Sequence, residues 1–485
     1  MNRSVRPKPN IVFILVDDLG YKDLTCYGST FYETPNIDRL FQGGMHFTDG
    51  YAACPVCTPT RASLLTGKYP ANVGVTFLGS TSGKGCIQQG RLTTLPYIDH
   101  LPLTETSLAT TLKKNGYQTW HVGKWHLGSE AHYPEKHGFD VNVGGSHFGH
   151  PVDGYFSPWK SMHGLSEADV PDGTYLTDYL TERACALIEE HGDKPFFLNM
   201  WYYTVHVPIE AKPEKIRKYE EKARRLRLDQ VDPIVKGEHH PLACWRDQPI
   251  TRRLFQSDAP YAAMIESLDE NVGRLVAKLE EKGQLENTII IFTSDNGGLS
   301  TGCPGIDIEY AATCNSPLAE GKGWMYEGGV REPMIMHWPG RIAPGSSCHV
   351  PVSSPDMYPT ILDLAGLDLV PEQHTDGVSL KPLLLDGRTS LDRDALYWHF
   401  PHYGNQGGTP GASIRMGDWK LIEFFEDNRL ELYNLHDDIS EAHNLADAEP
   451  ARAAAMHARL KSWQKEMNAT YPVPNEHWGK NTELD

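Results

Sequence analysis

The sequence N-I-V-F-I-L-V-D-D-L-G spans residues 10–20 and joins an unbroken apolar run to two adjacent aspartates, Asp17 and Asp18. An apolar run without polar alternation is typical of a strand that is buried on both faces of a parallel sheet. Three more such runs precede polar groups, at 119–122 before Gly123-Lys124-Trp125-His126, 196–203 before His206, and 288–292 before Ser294-Asp295-Asn296-Gly297-Gly298. The sequence therefore predicts buried strands that deliver functional side chains at their carboxyl ends.

Helical patterns separate these strands, with apolar residues at helical spacing over 107–115, 175–190 and 259–282. Strands that alternate with helices predict an α/β fold in which a doubly wound mixed sheet is flanked by helices. In such sheets the binding site forms in the crevice beyond the carboxyl ends of the strands. We therefore expect segments that are far apart in the chain to meet in one shared pocket.

The chain beyond about residue 375 has a different pattern. Short strand-like segments at 396–400, 412–416, 419–425 and 430–435 are separated by turn residues, which predicts an antiparallel meander. A closing helix follows at 451–467. We therefore expect two domains, at 1–374 and 375–485, the second a smaller antiparallel sheet with a helix. The segment 216–258 is highly charged and without clear pattern, so we expect a surface excursion there.

Composition excludes several function classes. The 485 residues include 45 Lys and Arg against 63 Asp and Glu, so the formal net charge is −18, which works against binding to nucleic acid or to an anionic membrane. The run at 11–16 is far too short to span a membrane. Residues 1–10 lack the apolar segment of a signal peptide, which predicts a cytoplasmic protein, or a secreted or periplasmic one if a leader has been removed. Nine thinly spread cysteines predict mostly reduced thiols.

Two pairs of hard oxygen ligands follow predicted strands, Asp17-Asp18 and Asp295-Asn296. Such ligands suit calcium or magnesium better than zinc. Alternatively, these residues are ordinary turn or cap residues. Cys54 and Cys57 lie in a C-P-V-C motif. Cys54 is either the dithiol partner of Cys57 or a small buried residue beside the site. The sequence has no second C-x-x-C, which disfavours structural zinc.

The stretch C-T-P-T-R-A-S-L-L-T-G at 57–67 resembles the signature of the type I sulfatases, a family of the alkaline-phosphatase superfamily. In that family a separate maturation enzyme converts the cysteine of C-x-P-x-R to formylglycine. Thr60 stands here where the family commonly has serine. Further family motifs follow in the family's order, at 10–20, 121–128 (H-V-G-K-W-H-L-G), 137–140 (H-G-F-D), 293–298 (T-S-D-N-G-G) and 321–331 (G-K-G-W-M-Y-E-G-G-V-R).

The resemblance implies a role for each matching residue. The implied ligands of one calcium ion are Asp17, Asp18, Asp295, Asn296 and the modified Cys57. The implied groups around the sulfate are Arg61, Lys124, His126, His206 and Lys322. The sequence departs from the family at Ala319, where the family often has an arginine before G-K. The family mechanism implies that hydrated formylglycine attacks sulfur, that His206 protonates the departing alcohol, and that His126 takes the proton whose loss expels sulfate.

Substrate specificity is expected from two loops, 144–159 and 397–405. Their aromatic and hydrogen-bonding side chains suit a sugar ring, or alternatively serve only to pack the loops. The candidate substrate-binding residues are His147, His150, Trp159, His399, His402 and Tyr403. The whole pattern is most similar to sulfatases of galactose or N-acetylgalactosamine, which implies a small sulfated saccharide as substrate. The alternatives are an aryl or steroid sulfatase, a phosphate or phosphonate monoester hydrolase of the same superfamily, and a sulfated-glycan binding protein without turnover.

Overall fold

The computed structural model describes residues 7–78, 90–93, 96–165, 169–302 and 311–478. The strands within these ranges are β1 (Asn10–Val16), β2 (Met45–Phe47), β3 (Gly50–Tyr51), β4 (Leu92–Thr93), β5 (Gln118–Gly123), β6 (Val141–Val143), β7 (Phe196–Trp201), β8 (Ile234–His239), β9 (Pro249–Arg253), β10 (Thr288–Ser294), β11 (Met334–His337), β12 (Ser346–Cys348), β13 (Val352–Ser353), β14 (Leu396–Phe400), β15 (Gly411–Met416), β16 (Trp419–Phe424), β17 (Leu430–Asn434) and β18 (Val473–Pro474).

The α-helices of the described ranges are α1 (Pro35–Gly43), α2 (Cys57–Thr66), α3 (Pro70–Val73), α4 (Leu108–Lys114), α5 (Leu176–Glu190), α6 (Pro213–Arg225), α7 (Ala259–Glu281), α8 (Glu327–Val330), α9 (Met357–Leu364), α10 (Lys381–Leu385) and α11 (Pro450–Glu466). None of them is both long enough and apolar enough to cross a membrane.

The central sheet has eight strands in the order β12-β2-β11-β10-β1-β7-β5-β6. From β10 to β6 all neighbouring strands are parallel. β11 runs antiparallel to both β10 and β2, which makes the sheet mixed. The strands β10, β1, β7 and β5 lie side by side, so the polar residues that follow them share one edge of the sheet.

Strand β1 shows why the sheet is covered on both faces. Val12, Ile14 and Val16 pack in one core with helices α1, α5 and α7. The alternate residues of the strand pack in a second core with α2, α4 and α9. Because side chains alternate between the faces of a strand, a continuous apolar run supplies both cores at once. The predicted doubly wound sheet flanked by helices is confirmed.

The C-terminal part contains the predicted antiparallel meander, in the order β14-β15-β16-β17. Helix α11 packs on one face of this sheet through Leu460 and Trp463. The other face packs through Trp398 and Phe400 against Val56 and its neighbours, directly before the C-x-P-x-R segment. The domain boundary at 375 stays a prediction, although α10, which lies beyond it, packs in the core of the large sheet.

The expected surface excursion at 216–258 is more ordered than the sequence indicates. It contains most of α6 and the antiparallel hairpin of β8 and β9. Helix α6 buries Tyr219 and Ala223, while its charged residues cover the outside. Strand β8 is largely exposed, so it has no apolar alternation by which it could be recognised.

Most of the described cysteines are free thiols, as the sequence predicts: Cys26, Cys54, Cys57, Cys185, Cys314 and Cys348. Cys244 departs from this prediction because it is disulfide-bonded. Cys86 and Cys303 lie outside the described residues.

Candidate active site

The carboxyl ends of the four adjacent strands converge on one buried cluster of charges. Asp17 and Asp18 follow β1, Lys124 follows β5, and Asp295 follows β10. The Nζ atom of Lys124 lies 2.7 Å from Oδ2 of Asp17. The backbone N–H of Asp18 donates to Oδ1 of Asp295 over 3.3 Å. The expected shared pocket is therefore a real juxtaposition of residues that are up to 278 positions apart.

Cys57 enters this cluster from the first turn of α2. Val56 is extended, and the helix starts at Cys57 and ends at Thr66; Gly67 follows it, with a φ of 70° in the left-handed region that favours glycine. Sγ of Cys57 lies 3.3 Å from Nδ1 of His126, and Oγ1 of Thr58 lies 3.2 Å from the same nitrogen. All residues of α2 are buried, so the helix holds Cys57 rigidly against the strand ends.

Three cations balance the three carboxylates. Besides the pair of Lys124 and Asp17, the Arg61 guanidinium approaches Asp295 at 2.7 Å and Nζ of Lys322 approaches Asp18 at 2.7 Å. Burial would raise the pKa of Asp18, but Lys322 with His206 and Lys124 holds it below its usual range. Burial raises the pKa of Asp17 well above its usual value, against the opposing effect of Lys124, and Asp295 and Asp18 raise it further.

The oxygen atoms of this cluster fit a divalent cation. Oδ1 of Asp17 and Oδ1 of Asn296 are buried and accept no hydrogen bond from any described residue. The amide nitrogen of Asn296 donates to Asp18 over 2.8 Å, which leaves its oxygen free. Ligand atoms of Asp17, Cys57 and Asp295 lie within 4.8 Å of one another, as do those of Asp17, Asp18 and His206. Carboxylate and amide oxygens are the ligands that calcium and magnesium prefer.

The two histidines of the cluster are both predisposed to be neutral. Burial lowers the pKa of His126, and Lys124 and Arg61 lower it further. Burial and Lys322 also lower the pKa of His206, although Asp18, 3.6 Å from its Nε2, opposes them. A bound anion would raise both pKa values, because it favours the charged imidazolium.

The dithiol interpretation of Cys54 and Cys57 gains no support from the structure. Both are free and buried, and burial raises the pKa of each thiol above its usual value. Thiol chemistry requires the thiolate, which a raised pKa disfavours at neutral pH.

The first specificity loop lies partly at the cluster. The ring centroid of His150 is 6.2 Å from that of His206, and the rings are nearly parallel. His147 points elsewhere, since its Nδ1 lies 3.0 Å from the hydroxyl of Tyr133. Trp159 is buried in the main core against Tyr179, and its contact with substrate stays a prediction.

The residues named in the second specificity loop lie inside the protein, and their contact with substrate stays a prediction. His399, His402 and Tyr403 are buried and have partners within the protein. Nε2 of His399 lies 2.7 Å from the carbonyl of Thr470, and Nε2 of His402 lies 2.9 Å from Oγ1 of Thr76. The Tyr403 hydroxyl donates to Glu426. These internal contacts favour the alternative that the side chains serve to pack the loops.

Three residues have supporting roles that the sequence did not indicate. Thr58, the wildcard of C-x-P-x-R, contacts His126, and Trp201 lies 5.1 Å from the Arg61 guanidinium. The Tyr155 hydroxyl donates to the carbonyls of Tyr203 and His206 and so fixes the loop of that histidine. The position of Trp201 at the end of a predicted strand could have indicated that it lies near the site. No local sequence pattern indicates that Tyr155 holds the His206 loop.

Replacing Arg61 by glutamine should destabilise the protein by about 3–5 kcal/mol, because it leaves buried carboxylates without their cation. Arg61 is fully buried, and its Nε and Nη2 both contact Asp295. Urea unfolding measures the change. The matched control is Arg183→Gln on the exposed face of α5, which should change the free energy of unfolding by less than about 0.5 kcal/mol. Equal stability of the two variants would show that the ion pair at Arg61 contributes nothing.

Comparisons with known proteins agree with this geometry. The family model described as Sulfatase matches residues 9–367. A second, described as N-sulphoglucosamine sulphohydrolase, C-terminal, matches residues 320–469. The N-acetylgalactosamine-6-sulfatase of Rattus norvegicus is 32% identical over 85% of this chain and 71% of its own length. Arylsulfatase A of Homo sapiens is 33% identical over 87% of this chain and 76% of its own.

Among solved structures, the fold is similar to that of Ps i-CgsB in complex with k-i-k-neocarrahexaose. The TM-score is 0.73, with 31% identity over 94% of this chain and 92% of that chain. The family match covers most of the chain, and the residues of the family motifs meet in one buried cluster. The chain therefore belongs to the sulfatase family of sulfuric ester hydrolases.

Proposed function

We propose that the protein hydrolyses a sulfate monoester on a galactose or N-acetylgalactosamine unit of a saccharide, with one calcium ion and a formylglycine made from Cys57. The observation that carries this proposal is the position of Cys57, at the start of α2, 3.3 Å from His126 and beside the carboxylates of Asp17 and Asp295. The name of the rat relative and the saccharide in the Ps i-CgsB structure support a sugar sulfate as the substrate.

The calcium ion and the modified residue at position 57 supply positive charge and a nucleophile. When bound, calcium supplies positive charge beside the sulfate, and Asp17, Asp18, Asp295 and Asn296 would hold it. Formylglycine supplies the hydroxyl of a hydrated aldehyde at position 57. A separate maturation enzyme is the partner that the conversion of Cys57 requires.

The side chains of the cluster bind the sulfate group and transfer protons. Lys124 and Lys322 orient the anionic sulfate and stabilise the charge that develops in the transition state. Arg61, which is held by Asp295, keeps the same region positive. His206 gives a proton to the oxygen of the departing alcohol, and His126 accepts a proton from the group at position 57, from which it is 3.3 Å away.

Two cellular locations are proposed for the protein: the cytoplasm, or the periplasm or cell exterior. The sequence predicts the cytoplasm. The disulfide at Cys244 favours the secreted or periplasmic alternative, because disulfides persist in oxidising compartments.

Matched esters test the reaction class. We expect kcat/KM for 4-nitrophenyl sulfate to exceed that for 4-nitrophenyl phosphate and phenylphosphonate esters by at least about 100-fold, which is about 2.7 kcal/mol of transition-state binding. Each of the three carboxylates of the cluster is paired with a cation, so the site has little further positive charge to offset the second negative charge of a phosphate monoester. A higher rate on phosphate or phosphonate would transfer the protein to the alternative hydrolase class.

A comparison of sugar sulfates with aryl sulfates tests the sugar assignment. The alternative is an aryl sulfatase, which the similarity to arylsulfatase A favours. We expect galactose 6-sulfate and N-acetylgalactosamine 6-sulfate to be turned over with higher kcat/KM than 4-nitrocatechol sulfate. The opposite order would leave the catalytic proposal intact and overturn the sugar assignment.

A further inference from the structure

A second concave site lies beside the catalytic cluster. It is a cavity of about 730 Å³ between the β8–β9 hairpin, the segment 319–326 and the C-terminal sheet. A cavity of this size is within the range that holds a ligand of several hundred daltons. None of the residues that form the catalytic cluster lines it, so it is a separate compartment.

The wall of this cavity is continuous with the catalytic cluster. Glu320 and Trp324 line the cavity, and between them in sequence lies Lys322, whose Nζ contacts Asp18 at 2.7 Å. The backbone N–H of Gly323 donates to the carbonyl of Pro55, two residues before Cys57. One short segment therefore has the catalytic lysine on one side and the cavity on the other.

The charges of the cavity favour an anion. Its carboxylates have partners: Arg252 pairs with both Glu238 and Glu320, Lys420 pairs with Glu441, and the Tyr403 hydroxyl donates to Glu426. By contrast, the guanidinium groups of Arg91 and Arg246 have no hydrogen bond or ion pair with any described residue. In a chain of net charge −18, two arginines without a carboxylate partner among the described residues place positive charge at one concave site.

Aromatic rings complete the lining. Trp324, Tyr326 and Trp478 all border the cavity. Indole and phenol rings pack against the apolar faces of sugar rings, and arginine binds sulfate and carboxylate groups bidentately. Aromatic faces together with free guanidinium groups are the combination that a charged sugar requires.

We propose that this cavity binds a second sulfated sugar unit of the same oligosaccharide whose sulfate ester occupies the catalytic cluster. This inference rests on the proposed function and adds to it that the substrate is an oligosaccharide with more than one sulfate. Arg91 and Arg246 contact the second sulfate, and Trp478 packs against its sugar ring.

The test uses the double variant Arg91→Gln/Arg246→Gln of the full chain. Its substrates are sulfated hexasaccharides from carrageenan and from chondroitin 6-sulfate, with 4-methylumbelliferyl sulfate as a probe that has no second sugar or second sulfate. We expect KM for at least one hexasaccharide to rise about tenfold, because two charge-assisted contacts are lost. For the aryl sulfate we expect less than a twofold change. The matched control is Arg217→Gln, an exposed arginine of α6, which should change neither KM.

Calorimetric binding of the same hexasaccharides gives a readout that does not require turnover. A Kd that rises about tenfold in the double variant supports the proposal, even if none of the esters is hydrolysed and the proposed function fails. Trp478→Ala should weaken binding of the same hexasaccharide. Unchanged KM and Kd for every hexasaccharide would overturn the second site. An equal rise in KM for the aryl sulfate would overturn it too, since the arginines would then act on the catalytic cluster.

Discussion

Replacing Cys57 by alanine should lower kcat for sulfate ester hydrolysis by at least about 10⁴-fold, because the variant can carry no nucleophile at position 57. The fold should survive, since the Cys57 side chain is small and its one hydrogen-bonded neighbour through Sγ among the described residues is His126. The measurement is single-turnover kinetics on 4-methylumbelliferyl sulfate, together with urea unfolding of the same preparation.

Cys54→Ala is the matched control for this variant. Cys54 is equally buried, three residues earlier, and packs against the C-terminal sheet rather than the charge cluster. We expect its kcat to stay within about threefold of the unmodified protein, with a stability loss of about 1 kcal/mol. A large loss of activity in Cys54→Ala as well would revive the dithiol alternative.

The mass of the Cys57 peptide from the native organism completes the experiment, since formylglycine replaces the thiol by an aldehyde. We expect the converted peptide. A wholly unmodified cysteine together with an inactive native protein would favour a sulfated-glycan binding role. Sulfatase activity that persists in Cys57→Ala would show that the nucleophile lies elsewhere.

The parts of the fold that the sequence predicted are those with a two-sided core. β1 and β10 are buried along their whole length, so their apolar runs are unbroken and their ends are sharp. Strand β8 is exposed along almost its whole length, so it has no such apolar pattern, and it was missed. The periodicity of apolar residues reflects which side chains are buried. An element that buries few side chains therefore has no clear pattern in the sequence.

The candidate site divides in the same way. Asp17, Lys124 and Asp295 were predictable as neighbours because parallel strands place their carboxyl ends together. His402 and Tyr403 are residue types that are common in sugar sites, but here they are buried with internal partners. Residue type alone does not show whether a side chain is exposed to a ligand or buried. The residues of the second cavity come from distant loops, and only the tertiary structure brings them together.

Removal of the divalent ion is the second change with a large expected effect. A chelator should lower kcat/KM for sulfate esters by at least about 10³-fold, and calcium should restore it, because the ion supplies several kcal/mol of charge stabilisation to the transition state. The structure also predicts an effect without any turnover. Oδ1 of Asp17 and of Asn296 are buried and accept no hydrogen bond within the described part of the chain, so a cation that they bind stabilises the folded state.

Calcium at 100 times its Kd should therefore raise the free energy of unfolding by about 2.7 kcal/mol in urea titrations. Asp295→Asn should abolish most of this increase, because it removes one of the negative charges around the ion. Asp269→Asn is the matched control: it is a buried carboxylate of α7 that accepts N–H groups of α1, so it should lose stability with and without calcium by equal amounts. If calcium stabilises Asp295→Asn as strongly as the unmodified protein, Asp295 is not a ligand. If it stabilises neither, the oxygen cluster is held by Arg61, Lys124 and Lys322 alone, and the charge that the sulfate meets comes from these cations.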